Sequence, residues 1–210
     1  MQGKSHALCG AAVAFPALFA LTGGSIGAAL IAVPIATVGA LLPDMDTRHF
    51  ALRSEIWRAW NRVAKACRRF GLWGEPFALA ALFVGVVMAG TLGVVSWVLR
   101  RFVSHRGFTH TFLCTAIIGG LAVWGSLNAF DSWVPGVALA VGYLSHLLTD
   151  AMTMRGVELF GPFVPVVIHL LPRGVRFRNG STAEFIAVCT VVTAAACLSA
   201  FAYTQYGARL

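Results

Sequence analysis

The sequence predicts an all-α fold, a polytopic helical membrane protein with about five spanning helices plus re-entrant or interfacial segments. Long apolar runs without a charge, such as residues 26–42 and 76–99, have the length of a bilayer-crossing helix. Of the residues, 58% are hydrophobic and only 11% charged. The apolar runs are continuous rather than alternating, which excludes a β-barrel and leaves helices to satisfy the backbone in lipid.

Taken in order, residues 7–22 form the first apolar run, with Lys4 and His6 ahead of it. The charged start is minimal and a second run follows at once, so an uncleaved first helix is expected rather than a signal peptide. The connection Thr22-Gly23-Gly24-Ser25 is short, so residues 26–42 should return as an antiparallel partner. His6 and the pair Asp44/Asp46 then share one face of the membrane. Residues 47–75 alternate arginines with Ile56, Trp57, Trp60, Val63 and Phe70 at helical spacing. Such a helix, about 53–71, lies in the interface with its basic face toward anionic headgroups.

Residues 76–99 are apolar but interrupted by Gly85, Gly90 and Gly93. One crossing there would split the basic residues almost evenly between the two faces. A dip and return leaves all but Arg209 on one face, which the positive-inside rule prefers for a chain of net charge +8. A re-entrant segment is therefore expected, and a single integral-membrane domain spans 1–210. Residues 112–127 cross outward, 134–152 cross back, and Pro162, Pro165 and Pro172 break 157–172 into an interfacial segment. Ser181 and Glu184 have capping-box spacing at the start of a last helix, about 183–204. The five cysteines form no CxxC pair and read as small buried hydrophobes.

The stretch Ser104-His-Arg-Gly-Phe-Thr-His-Thr111 gathers two imidazoles and a guanidinium at the mouth of an apolar run. The near-face polar residues are His6, Asp44, Asp46, His105, His110, His146 and Asp150. Imidazoles and carboxylates without thiolate suit a divalent transition metal, zinc or manganese. His146 and Asp150 are four apart and share a helix face. His105 and His110 are five apart and diverge around a helix, so Gly107 should break the chain between them. A single histidine near a helix end more often snorkels to the interface than binds metal. The convergence of several on one face favours the metal reading. Seven candidates exceed one tetrahedral ion and suit two, an arrangement used in phosphoester hydrolysis. Arg106 would hold a phosphate and Asp46 would act as base. His49 and His169 read as interface residues, and Glu158 as a loop residue.

His6, Leu42-Pro43-Asp44-Met45-Asp46, His105-Arg106-Gly107-Phe108-Thr109-His110 and Gly142-Tyr-Leu-Ser-His146-Leu-Leu-Thr-Asp150 together resemble the YdjM-type inner-membrane proteins. Gly156-Val157, Pro162 and Asn179 through Glu184 fit as well. The resemblance implies a multi-pass protein of the bacterial inner membrane and a membrane-bound metal-dependent hydrolase. Residues 76–99 are longer than the connection this family leads one to expect.

The first expectation is thus a hydrolase acting at the cytoplasmic face, with the N-terminus cytoplasmic, on a phosphoester of a lipid or lipid-linked substrate. A non-catalytic metal-binding membrane protein, transporter or sensor, is the alternative; runs 26–42 and 112–127 offer almost no polar path for transport. A nucleic-acid binder using residues 48–69 is weaker, because membrane lipids account for those arginines.

Overall fold

The computed structural model describes residues 1–46, 51–102 and 107–206. It is a polytopic all-α membrane protein. Seven α-helices occur among the described residues: α1 (Gly3–Leu21), α2 (Ile26–Gly39), α3 (Ala51–Arg68), α4 (Glu75–Phe102), α5 (Phe112–Phe130), α6 (Val134–Ala151) and α7 (Thr182–Tyr206). Two compact units make up the chain: residues 1–43 with 106–210, and residues 44–105.

In the first unit, α1 and α2 form the expected hairpin. Gly24 takes φ +104° in the turn, a conformation few L-residues adopt, and Ser25 caps α2 by accepting from the Ala28 amide. α6 is the central helix, packed against α1, α2 and α5, while α7 packs on α1. The α2–α6 contact is made by small residues. A Cβ at Gly142 would collide with the Ala36 carbonyl, and one at Gly39 with the Leu139 carbonyl. Backbones this close are the usual way helices associate in lipid, where apolar burial supplies no drive.

The second unit is a helical hairpin. Ala64, Ala78 and Ala81 form its buried seam, Trp60 covers Gly85, and Arg68 pairs with Glu75 at 3.5 Å. Arg53 lies over Gly93, so α3 and α4 run antiparallel and their outer ends, Ala51 and Phe102, fall at the same end of the hairpin. This corrects the re-entrant expectation. Residues 75–102 are one uninterrupted helix; Gly85 and Gly93 within it accept neighbouring side chains instead of bending the chain. The reversal falls at 69–74, where Gly71 has φ +63° and Gly74 abuts the Cys67 carbonyl.

Five stretches among the described residues are long and apolar enough to cross a membrane: Gly3–Leu21, Ile26–Met45, Gly71–Val98, Phe112–Phe130 and Thr182–Tyr206. α6, expected to cross, is not one of them. Its final turns carry Tyr143, Ser145, His146, Thr149 and Asp150, all enclosed by neighbouring helices. Cys9 and Cys114 are buried as expected, but Cys189 and Cys197 are exposed, because α7 buries only one face. Residues 152–181 are irregular, tied by single bridges between Thr153 and Phe177 and between Val157 and Ile168.

Candidate metal centre

α6 brings the site together. Its i, i+4 spacing sets His146 and Asp150 on one face, with His146 Nε2 3.9 Å from Asp150 Oδ2. His110 approaches the same oxygen at 3.9 Å, and His6 Nε2 lies 3.3 Å from Oδ1. Three imidazole Nε2 atoms therefore face one carboxylate. The backbone nitrogen of Met1 also donates to Oδ1, at 2.6 Å. His6, His110, His146 and Asp150 are all at most 1% exposed.

The second nitrogen of each ring has its own partner. His146 Nδ1 meets the Ala40 carbonyl oxygen at 2.7 Å. A carbonyl only accepts, so Nδ1 carries the proton and Nε2 keeps its lone pair toward Asp150. The same contact satisfies a carbonyl at the C-terminal end of α2. His6 Nδ1 contacts Thr149 Oγ1 at 3.0 Å, and that hydroxyl is also placed to donate to the Ser145 or His146 carbonyl. When it does so, His6 Nδ1 is the donor and its Nε2 lone pair faces the carboxylate too. His6 stacks on His146 with ring centres 3.7 Å apart, and His110 meets His146 edge-on at 5.2 Å.

His110 was expected beyond a chain break at Gly107. It lies in a 3-10 turn, Phe108–His110, ahead of α5, because Thr111 is extended and takes the cap, accepting from the Cys114 amide. That turn is fastened to α6 by Tyr143, whose hydroxyl donates to the Thr109 carbonyl at 2.5 Å. His110 Nδ1 contacts Thr109 Oγ1 at 3.0 Å.

The donor atoms of His110, His146 and Asp150 all lie within 4.8 Å of one another. Ligands ~2.1 Å from a single zinc-sized ion stand ~3.0 to ~4.2 Å apart, so two 3.9 Å separations suit a common ion. Two neutral imidazoles and a carboxylate are also the right donors.

Four of the seven predicted ligands, His6, His110, His146 and Asp150, are thus brought together. His6 was expected just ahead of the first helix; it falls in the second turn of α1, a position that lets it stack on α6. Asp44 and Asp46 lie in a 3-10 turn, Leu42–Asp46, that carries the chain from the first unit into the second. His105 and Arg106 lie outside the described residues, as does His49. His169 contacts the Thr153 carbonyl at 3.3 Å and has a structural part. Sequence reasoning did not assign Tyr143, Thr109 or Thr149. Each sits beside a predicted ligand or within the GYLSHLLTD stretch, and adjacency was the only available signal.

Among curated proteins, the inner membrane protein YdjM of Escherichia coli (strain K12) is 40% identical over 72 residues, 32% of this chain and 35% of that protein. The YdjM of Shigella flexneri matches to the same extent. The matched stretch thus spans about a third of each relative's length. No solved structure matches. The sequence model of the family described as YdjM inner membrane protein, however, matches residues 1–207. The chain belongs to the YdjM inner membrane protein family.

Proposed function

We propose that the protein is a metal-dependent hydrolase of the bacterial inner membrane that cleaves a phosphoester of a lipid or lipid-linked substrate at the cytoplasmic face. One observation carries the reading: the Nε2 atoms of His6, His110 and His146 converge on the buried Asp150 carboxylate at 3.3, 3.9 and 3.9 Å. Burying four ionisable groups in a mostly apolar chain is costly unless a cation or a function offsets it.

In this reading His110, His146 and Asp150 hold a zinc or manganese ion, with His6 and Asp44 as further ligands and Asp46 and His105 serving a second ion. A divalent ion in such a site supplies Lewis-acid activation of water and neutralises charge on the leaving oxygen. The chain's residues do the rest. Ala40 and Thr149 fix the ring orientation of His146 and His6 by accepting from Nδ1. Asp46 takes the proton of the attacking water, and Arg106 holds the phosphate through its planar donor fork. The basic face of α3 meets anionic membrane lipids, and the N-terminus is cytoplasmic by the same charge bias.

Metal analysis of the purified protein, with hydrolysis of p-nitrophenyl phosphate as a turnover assay, tests the proposal. The wild type should retain zinc or manganese and lose turnover on chelation. Both His110→Ala and His146→Ala should lose metal. A metal content unchanged by both substitutions rejects the site, and a metal-loaded protein inert toward phosphoesters rejects the hydrolase.

A further inference from the structure

One turn beyond Asp150 the surface opens into a cleft of ≈ 400 Å³ lined by Thr153, Met154, Arg155, Phe177, Arg178 and Asn179. The two walls are held in register by the backbone. Thr153 and Phe177 form a parallel bridge, and the Met154 amide donates to the Phe177 carbonyl at 3.0 Å. That pairing sets Arg155 and Arg178, distant in sequence, on the rim of one cavity. The lining contains no carboxylate, and neither arginine forms a salt bridge with a described carboxylate. At the floor, Thr153 ties the cleft to the metal centre: its amide and hydroxyl donate to the Asp150 carbonyl at 3.0 and 2.7 Å.

We propose that this cleft binds the phosphoryl group of a phosphoester, with Arg155 and Arg178 as its two charged donors. Two guanidiniums offer planar forks matched to phosphate oxygens, and Asn179 adds an amide. The C-terminal end of α6 opposes an anion with roughly half a charge, which two full positive charges outweigh. The Asp150 carbonyl that would contribute most to that repulsion already accepts from Thr153. The volume lies in the usual range for small-ligand pockets and admits a glycerophosphate headgroup. Binding in the cleft is independent of the hydrolase proposal. Only what becomes of the phosphate there rests on that reading.

The test is titration of the full chain in detergent with inorganic phosphate, in the presence of EDTA so that no metal contributes to binding. Wild type should bind saturably. The double variant Arg155→Gln/Arg178→Gln should weaken binding tenfold or more, and Arg173→Gln, outside the cleft, should leave it unchanged. Succinate should not compete at equal concentration. Native mass spectrometry after purification with phosphatidylglycerol distinguishes the source of the phosphate. A lipid retained by wild type and lost by the double variant identifies a headgroup, and phosphate binding with no retained lipid identifies a soluble ester. Equal phosphate binding by wild type and double variant, an equal loss in Arg173→Gln, or equal competition by succinate overturns the proposal. Because EDTA is present throughout, a failed metal centre would leave these results standing.

Discussion

Tyr143→Phe separates the scaffold of the metal centre from its ligands. The substitution keeps the ring, which is 1% exposed in the cluster with Cys114, Leu147, Val157 and Leu159, and deletes only the hydroxyl. That hydroxyl donates to the Thr109 carbonyl at 2.5 Å and contacts Cys114 Sγ at 3.3 Å. Removing a buried donor from its acceptor costs ~1–3 kcal/mol. For a chain of this length each kcal/mol lowers the thermal midpoint by ~2–4 °C. The Thr109 carbonyl belongs to the residue beside His110, so loosening the turn also loosens a ligand. Losses of this kind cost ~10–100-fold in metal affinity. Both quantities are measurable in detergent, the midpoint by circular dichroism and the affinity by zinc competition against a chromophoric chelator. Tyr203→Phe, on an exposed position of α7, is the control and should change neither. An unchanged midpoint would refute the tie between α6 and the turn. A lowered midpoint with unchanged zinc affinity would refute the claim that the turn delivers a ligand.

Other substitutions follow from the same contacts. Gly142→Ala drives a Cβ into the Ala36 carbonyl, which as backbone cannot give way, so α6 must leave α2. Overpacking of ~1–3 kcal/mol and weakened zinc binding are expected together, because the His146–Ala40 hydrogen bond spans the same interface; zinc affinity unaffected by a measured destabilisation would count against it. Ser181→Ala removes the acceptor for the Glu184 amide at 3.2 Å and should cost ~0.5–2 kcal/mol in thermal unfolding without altering bound metal. Glu184→Gln should cost more than Ser181→Ala. Its two oxygens accept from the Gly180 and Gln2 amides, and a carboxamide keeps one acceptor only.

Much of the fold was legible because its signals are local. Apolar run length gave the spans, Gly23-Gly24-Ser25 gave the first hairpin, and i, i+4 spacing placed His146 beside Asp150. Ser181 and Glu184 start α7 as their spacing suggested, although Glu184 reaches the Gly180 amide where a capping box would return to Ser181. The misses are non-local. The glycines of α4 read as a bend because nothing in the sequence says that Trp60 lies over Gly85. The role of Tyr143 was invisible because its partner, Thr109, is 34 positions away.

The α3–α4 hairpin bears on the site through its connectivity. A single crossing between the aspartate and histidine motifs would put them on opposite faces of the membrane. A reversal at 69–74 makes α3 and α4 antiparallel, so Ala51 and Phe102 fall at the same end of their hairpin. α3 is too basic to cross lipid, with Arg53, Arg58, Arg62, Lys65 and Arg68 along its length, and α4 packs against it throughout. The reversal that the charge argument placed within 76–99 falls at 69–74, between two helices. The hairpin uses two helices, the first amphipathic and the second apolar and long enough to cross a membrane. The cluster on α6 requires neither Asp44 nor Asp46. His6, His110, His146 and Asp150 already meet within the first unit alone.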